Sequence, residues 1–255
     1  MRKNVKKLSA QSWYNNKNMF YWLIPLIIGF ISLIVFLVFR VKEKRVIAVY
    51  LKGFTSLMFI ITALVAWLTS KNPETNFGIF VLIGLFFGSL GDVFLDLKFV
   101  ILDKEDLYTK LGFCAFGIGH IFYLIGLFLN FYNFNTSALY LVLPIVITIV
   151  FVVISLLFEI FTKIRYEKMK PFVIVYGFLL FFATTMYMSV AIQGEWKVVN
   201  IAIMAPALIM FAISDLILNN TYFAPDCDSP AFIVSNHICY YVAQFAVAVS
   251  LFFLI

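Results

Sequence analysis

Charge is scarce in this chain. Charged residues make up 13% of its 255 positions, where a soluble domain carries roughly a quarter. Histidine is scarcer still, with two in the chain. That excludes a His₃ zinc hydrolase of the alkaline ceramidase type, which needs about three. There are three cysteines, Cys114 and Cys239 in apolar runs and Cys227 in a loop. Their spacing builds neither a disulfide framework nor a zinc cluster. The chain has no G-x-S-x-G elbow and no H-E-x-x-H pair, so serine-hydrolase and zincin chemistry have no sequence basis.

What is abundant is apolar. Hydrophobic residues account for 64% of the chain, and Phe alone for 31 positions. Eight runs reach the roughly 20 apolar residues that a bilayer-spanning helix needs. They cover about 21–39, 46–68, 77–97, 111–131, 137–158, 172–193, 198–218 and 231–254. The expected fold is therefore all-α, an integral membrane bundle of eight transmembrane helices. Residues 1–20 read as a basic tail and residues 21–255 as one eight-helix domain. The first run spans fully and lacks a small-residue cleavage site, so it reads as a membrane helix rather than a signal peptide. The net charge of +6 is no nucleic-acid signature, because the Lys and Arg residues lie mostly between apolar runs, as topology rules require.

Eight spans put both termini on one side, here side A. Of the 19 Lys and Arg residues, 7 fall on side A, 11 on side B, and Lys52 lies within a span. The loop count favours B as cytosolic and the basic tail favours A, which leaves orientation open. Depth is better defined. Helix alternation puts Asp92 and Asp215 in the B-proximal parts of the third and seventh spans. Lys52 falls about 9 Å below its B entrance at 1.5 Å per residue. Tyr176 is shallow on side B, and Asn236, Tyr240 and Gln244 occupy the B half of the last span. His120 sits near the middle of the fourth, three residues before Tyr123. Polar groups from separate helices thus share one depth band, as in a pocket open toward side B.

Asp92 and Asp215 are the strongest functional signal. An ionised carboxylate in hydrocarbon costs at least about 2.5 kcal/mol on insertion scales. Each has a structural alternative: Asp92 as the partner of a buried cation or hydroxyl, Asp215 as a helix-end group reaching the interface. Asp96, one turn after Asp92, reads as interfacial, solvated or paired. Lys52 either snorkels to the interface or holds a phosphate or carboxylate. Asn236, Tyr240 and Gln244 recur at i, i+4 and i+8, a face turned to the bundle interior or a helix–helix contact. Tyr176 fits an interfacial aromatic or a pocket hydroxyl equally.

In order along the chain stand Lys52 with T-S-L, G-D-V-F-L at 91–95, and F-x-x-F-x-x-G-H-x-x-Y at 113–123. S-D-L-I-L at 214–218 and Y-Y-V-A-Q at 240–244 follow. With these pieces the chain resembles the YhhN-like, lysoplasmalogenase family of eight-helix membrane proteins. Gly53 stands where the family often has proline, and Asn219-Asn220-Thr221 where it often has Arg-Phe. The resemblance implies hydrolysis of the vinyl ether bond of lysoplasmalogens to a fatty aldehyde and glycerophosphoethanolamine or glycerophosphocholine. It implies no cofactor and no metal, with a lysophospholipid substrate and membrane lipid as partners.

The residues suit that chemistry. Vinyl ether cleavage begins with proton transfer to carbon and passes through an oxocarbenium ion. It needs one carboxylic acid that keeps its proton and one carboxylate, the logic of paired acids in glycosidases. Asp92 and Asp215 are the candidate pair. Tyr240, His120 and Gln244 would orient the water or the carboxylates, and Lys52 would meet the phosphate. An intramembrane aspartyl protease needs Y-D and G-x-G-D, and neither is present. The alternative of another class is a proton-coupled transporter or a lipid-binding membrane protein, with the aspartates as proton carriers.

Overall fold

The structure is a computed structural model that describes residues 20–43, 45–133, 135–161, 164–224 and 229–255. Most of the basic tail, Lys44, Lys163 and Cys227 lie outside the described residues. Eight long helices are present: α1 (Leu23–Val41), α2 (Arg45–Leu68), α3 (Asn76–Leu97), α4 (Glu105–Asn130), α5 (Leu139–Phe161), α6 (Lys170–Gln193), α7 (Val199–Phe223) and α8 (Pro230–Ser250). All eight are long and apolar enough to cross a membrane. The reason is backbone satisfaction: with no water in the hydrocarbon, a helix pairs its own N–H and C=O groups. This is a multi-pass membrane protein.

Local signals set the helix ends. The Thr75 hydroxyl caps α3 by accepting from the Phe77 N–H, and proline opens α6 and α8, where its missing N–H is no loss. Two helices outrun their apolar stretches. α4 starts at Glu105, six residues before the expected span, with Glu105 and Asp106 in its first turn, where carboxylates favour the helix dipole. α7 continues to Phe223. Asp215 therefore lies about 12 Å inside the end of α7 at 1.5 Å per residue and is not a helix-end group.

Sequential pairs pack most closely: α1 on α2, α3 on α4, α5 on α6 and α7 on α8; α2 also meets α3 and α8, α4 meets α6, and α6 meets α7. Small residues permit the tightest of these approaches. A Cβ added at Gly119 of α4 would lie 2.9 Å from the Gly84 carbonyl oxygen of α3. Helix α5 is the outlier. Only Pro144 and Thr148 of it are buried, and it is tied to α6 by Thr148–Thr185 (3.0 Å) and by Ser189 donating to the Tyr140 carbonyl (2.7 Å). Between α5 and α7, floored by α6, runs an apolar groove of about 700 Å³.

Candidate active site

Helix α3 brings Asp92 into the bundle, where it is 2% exposed. Its Oδ2 accepts from Ser56 Oγ of α2 at 2.6 Å and from Tyr240 OH of α8 at 2.8 Å. Its Oδ1 faces the Lys52 ammonium at 3.5 Å. Ser56 lies one turn beyond Lys52, so one face of α2 supplies both a hydroxyl and a cation to the same carboxylate. Gln244 Nε2 donates to Tyr240 OH at 2.9 Å, and Tyr241 OH lies 3.1 Å from Ser56 Oγ. The i, i+4, i+8 face of α8 thus points inward and orients the groups that hold Asp92.

Lys52 does not snorkel. It is 5% exposed, and it donates to Asp96 Oδ1 at 3.1 Å. Arg40 of α1 closes on Asp96 Oδ2 at 3.5 Å. A linear charge chain Arg40–Asp96–Lys52–Asp92 therefore leads inward from the side-B end of α1. Asp96, expected near the membrane edge, is 1% exposed and is a full member of this chain. Its i+4 spacing from Asp92 was the sequence signal. Nothing local marked Arg40 as its partner, because the contact joins residues far apart in the chain.

Asp215 has a different setting. Its Oδ2 accepts a short hydrogen bond from Tyr176 OH of α6, and Ser214 Oγ lies 3.4 Å from its Oδ1. No ion pair with Lys or Arg reaches it among the described residues. Asn236 Nδ2 donates to the Ser214 carbonyl at 2.6 Å, which ties α8 to α7 beside it.

Asp92 and Asp215 line one cavity of about 20 Å³, together with Lys52, Tyr176, Asn236, His237 and Tyr240. Phe113, Phe116, Leu95, Leu218 and Tyr222 complete the walls. That volume holds about one water. A second cavity of about 60 Å³ shares Asp215, Tyr176, Phe113, Leu218 and Tyr222 with the first. It shares Ser155, Phe181, Ala212 and Leu216 with the apolar groove. Asp215 thus lies on the wall common to the polar chamber and the cavity that borders the groove.

Three candidates stand behind the chamber wall. His120 Nδ1 lies 2.8 Å from the Phe116 carbonyl, and its ring packs on Tyr176 and Phe211. Its Nε2 is buried without a hydrogen-bond partner. Tyr123 packs against Gly84, and its hydroxyl also lacks a partner. Gln244 reaches the chamber only through Tyr240. Arg40 and Tyr222 belong to the site and were not singled out in the sequence, whereas Ser56 and Tyr241 fall within the T-S-L and Y-Y-V-A-Q pieces. Arg40 reads as an ordinary helix-end cation and Tyr222 as an ordinary interfacial aromatic.

At the side-B mouth, Lys98 is buried beside Glu105 (3.8 Å), with its ammonium 3.2 Å from the Tyr222 ring centroid. Burial pushes its pKa down to about 8, and Glu105 opposes that shift.

Fold and site together define a multi-pass membrane protein with a carboxylate pair in a small chamber, which shares walls with a polar side-B cavity and with a second cavity bordering an apolar groove. A sequence model of the YhhN family matches residues 47–251, which carry Lys52, both aspartates and all the polar α8 positions. The chain belongs to the YhhN family. Comparison with curated proteins and with solved structures finds no match in either.

Proposed function

We propose that this protein is a membrane hydrolase that cleaves the vinyl ether bond of lysoplasmalogens. The observation that carries the reading is the shared cavity of Asp92 and Asp215, with room for about one water. Family membership agrees with it.

The surroundings divide the two roles. Asp92 faces an ammonium and accepts from two hydroxyls, the setting of a carboxylate. Asp215 makes no ion pair with Lys or Arg among the described residues and borders apolar walls, so it takes the role of the proton donor. Asp215 gives its proton to the vinyl carbon β to oxygen, and the α-carbon becomes an oxocarbenium stabilised by Asp92. Water adds to the α-carbon and passes a proton to Asp92. The hemiacetal then gives its hydroxyl proton to Asp215, and Asp92 protonates the departing glycerol oxygen. Aldehyde and glycerophospho-alcohol leave, and both aspartates return to their starting states. The alkenyl chain lies in the groove between α5 and α7, reaching Asp215 through the 60 Å³ cavity.

The test is aldehyde release by purified protein from vinyl-ether and ester-linked lysolipids side by side. Only the vinyl ether should yield aldehyde. Asp92→Asn and Asp215→Asn should each lose about 100-fold or more, since general acid–base steps contribute 10²–10⁴. Either variant retaining more than about a tenth of the rate removes the pair from the mechanism.

A transporter reading draws on the two buried aspartates as proton carriers. Proton-coupled uptake into liposomes without aldehyde release would favour it.

A further inference from the structure

A cavity of about 330 Å³ opens on side B among the ends of α1, α2, α3, α4, α7 and α8. Arg40, Arg45 and Lys98 line it, as do Glu43 and Glu105. It meets the aspartate chamber at Leu218, Tyr222, Asn236 and His237, which line both. Arg40 and Arg45 precede the stretch that matches the family.

We propose that this vestibule binds a phosphate joined to a primary ammonium, the headgroup of an ethanolamine lysolipid. The identity of the lipid rests on the hydrolase reading; the headgroup chemistry comes from the cavity. Lys52 is held between Asp96 and Asp92, so the phosphate is met further out than the sequence suggested. Arg45 uses one N–H on the Phe99 carbonyl (3.4 Å), and its guanidinium has four more N–H donors. A planar guanidinium matches two phosphate oxygens at once, and Lys98 adds a point charge. The carboxylates of Glu43 and Glu105 suit the three N–H donors of a primary ammonium. Choline has no such donors and is held by aromatic faces instead. Here those faces are taken: Arg40 lies 4.1 Å from the Phe99 ring centroid and Lys98 3.2 Å from that of Tyr222. The site therefore prefers ethanolamine to choline. The headgroup sits at the mouth, the glycerol passes Asn236 and Tyr222, and the ether reaches the aspartates.

Binding can be measured without turnover, by titrating the full-length protein in detergent with a saturated alkyl-ether lysophosphoethanolamine. The comparison ligands are the matching choline lipid and an alkylglycerol without phosphate. The phosphoethanolamine lipid should bind about tenfold or more tighter than the alkylglycerol, the worth of one charged contact. Arg45→Gln, at an exposed position, and Lys98→Gln should each shrink that margin, with alkylglycerol affinity serving as the fold control. Glu105→Gln should erase the preference over choline. Equal affinity for phosphate-bearing and phosphate-free ligands overturns the proposal, as does a margin indifferent to Arg45 and Lys98. Phosphate-dependent binding with no aldehyde from any vinyl ether keeps this site and removes the hydrolase reading. Aldehyde release with binding blind to both cations does the reverse.

Discussion

The Lys52 ammonium lies 3.1 Å from the Asp96 carboxylate, across 44 residues of sequence and with both groups buried. The same ammonium faces Asp92. Lys52 thus bridges two buried carboxylates, and Arg40 adds a second cation to the outer one. Removing one partner of such a pair leaves an uncompensated buried charge, at about 3–5 kcal/mol. Lys52→Met should therefore lower the thermal midpoint in detergent sharply. Lys52→Met with Asp96→Asn should recover part of the loss. A Lys52→Met protein that melts with the wild type would contradict the pairing.

Tyr240 and Ser56 both donate to Asp92 Oδ2. A hydrogen bond to a charged group contributes about 1.5–3 kcal/mol. If Asp92 is the working carboxylate, Tyr240→Phe and Ser56→Ala should each lower kcat by about tenfold or more with little change in KM. An unchanged kcat in both would mean that the hydroxyls hold structure alone.

Lys98 carries the pH dependence of the mouth. Its pKa, about 8, is below the ordinary lysine value of 10.5, so the fold favours the neutral amine. Between those two pH values the unfolded chain binds more protons than the native one, and stability from this group rises with pH. The proposed headgroup site predicts the opposite trend for substrate binding. Above pH 8 the mouth loses a cation, and KM for a phosphate-bearing substrate should rise. Glu105, Arg40, Asp96 and Lys52 are the charges acting on this amine. Lys98→Arg should hold KM flat across pH 7–9. A wild-type KM without an alkaline rise argues against Lys98 at the phosphate.

Gly119 and Gly177 make a paired stability test. A Cβ at Gly119 meets a backbone oxygen at 2.9 Å, and one at Gly177 meets nothing within 4 Å. Gly119→Ala must push α3 and α4 apart and should lower the thermal midpoint. Gly177→Ala should be neutral or raise stability by up to about 1 kcal/mol, the helix preference of Ala over Gly. Equal midpoints for the two variants would refute the close approach of α3 and α4.

Much of this architecture is written in the chain itself. An apolar run of about 20 residues has one way to satisfy its backbone in hydrocarbon, so eight runs determine eight helices. Their alternation also determines the depth of each polar residue, which is how Asp92, Asp215, Tyr176 and Asn236 are legible as neighbours. What alternation leaves open is the rotation of each helix about its own axis. Packing of small and aromatic residues decides that. Gly84 against Gly119, and Phe116 against Tyr176 and Tyr240, turn the two aspartates into one chamber and leave His120 and Tyr123 behind its wall. Tertiary structure alone joined Asp92 to Tyr240 across 148 residues and set Arg40 on Asp96. A buried carboxylate takes whichever donor the packed helices bring within reach, and no local pattern encodes that meeting.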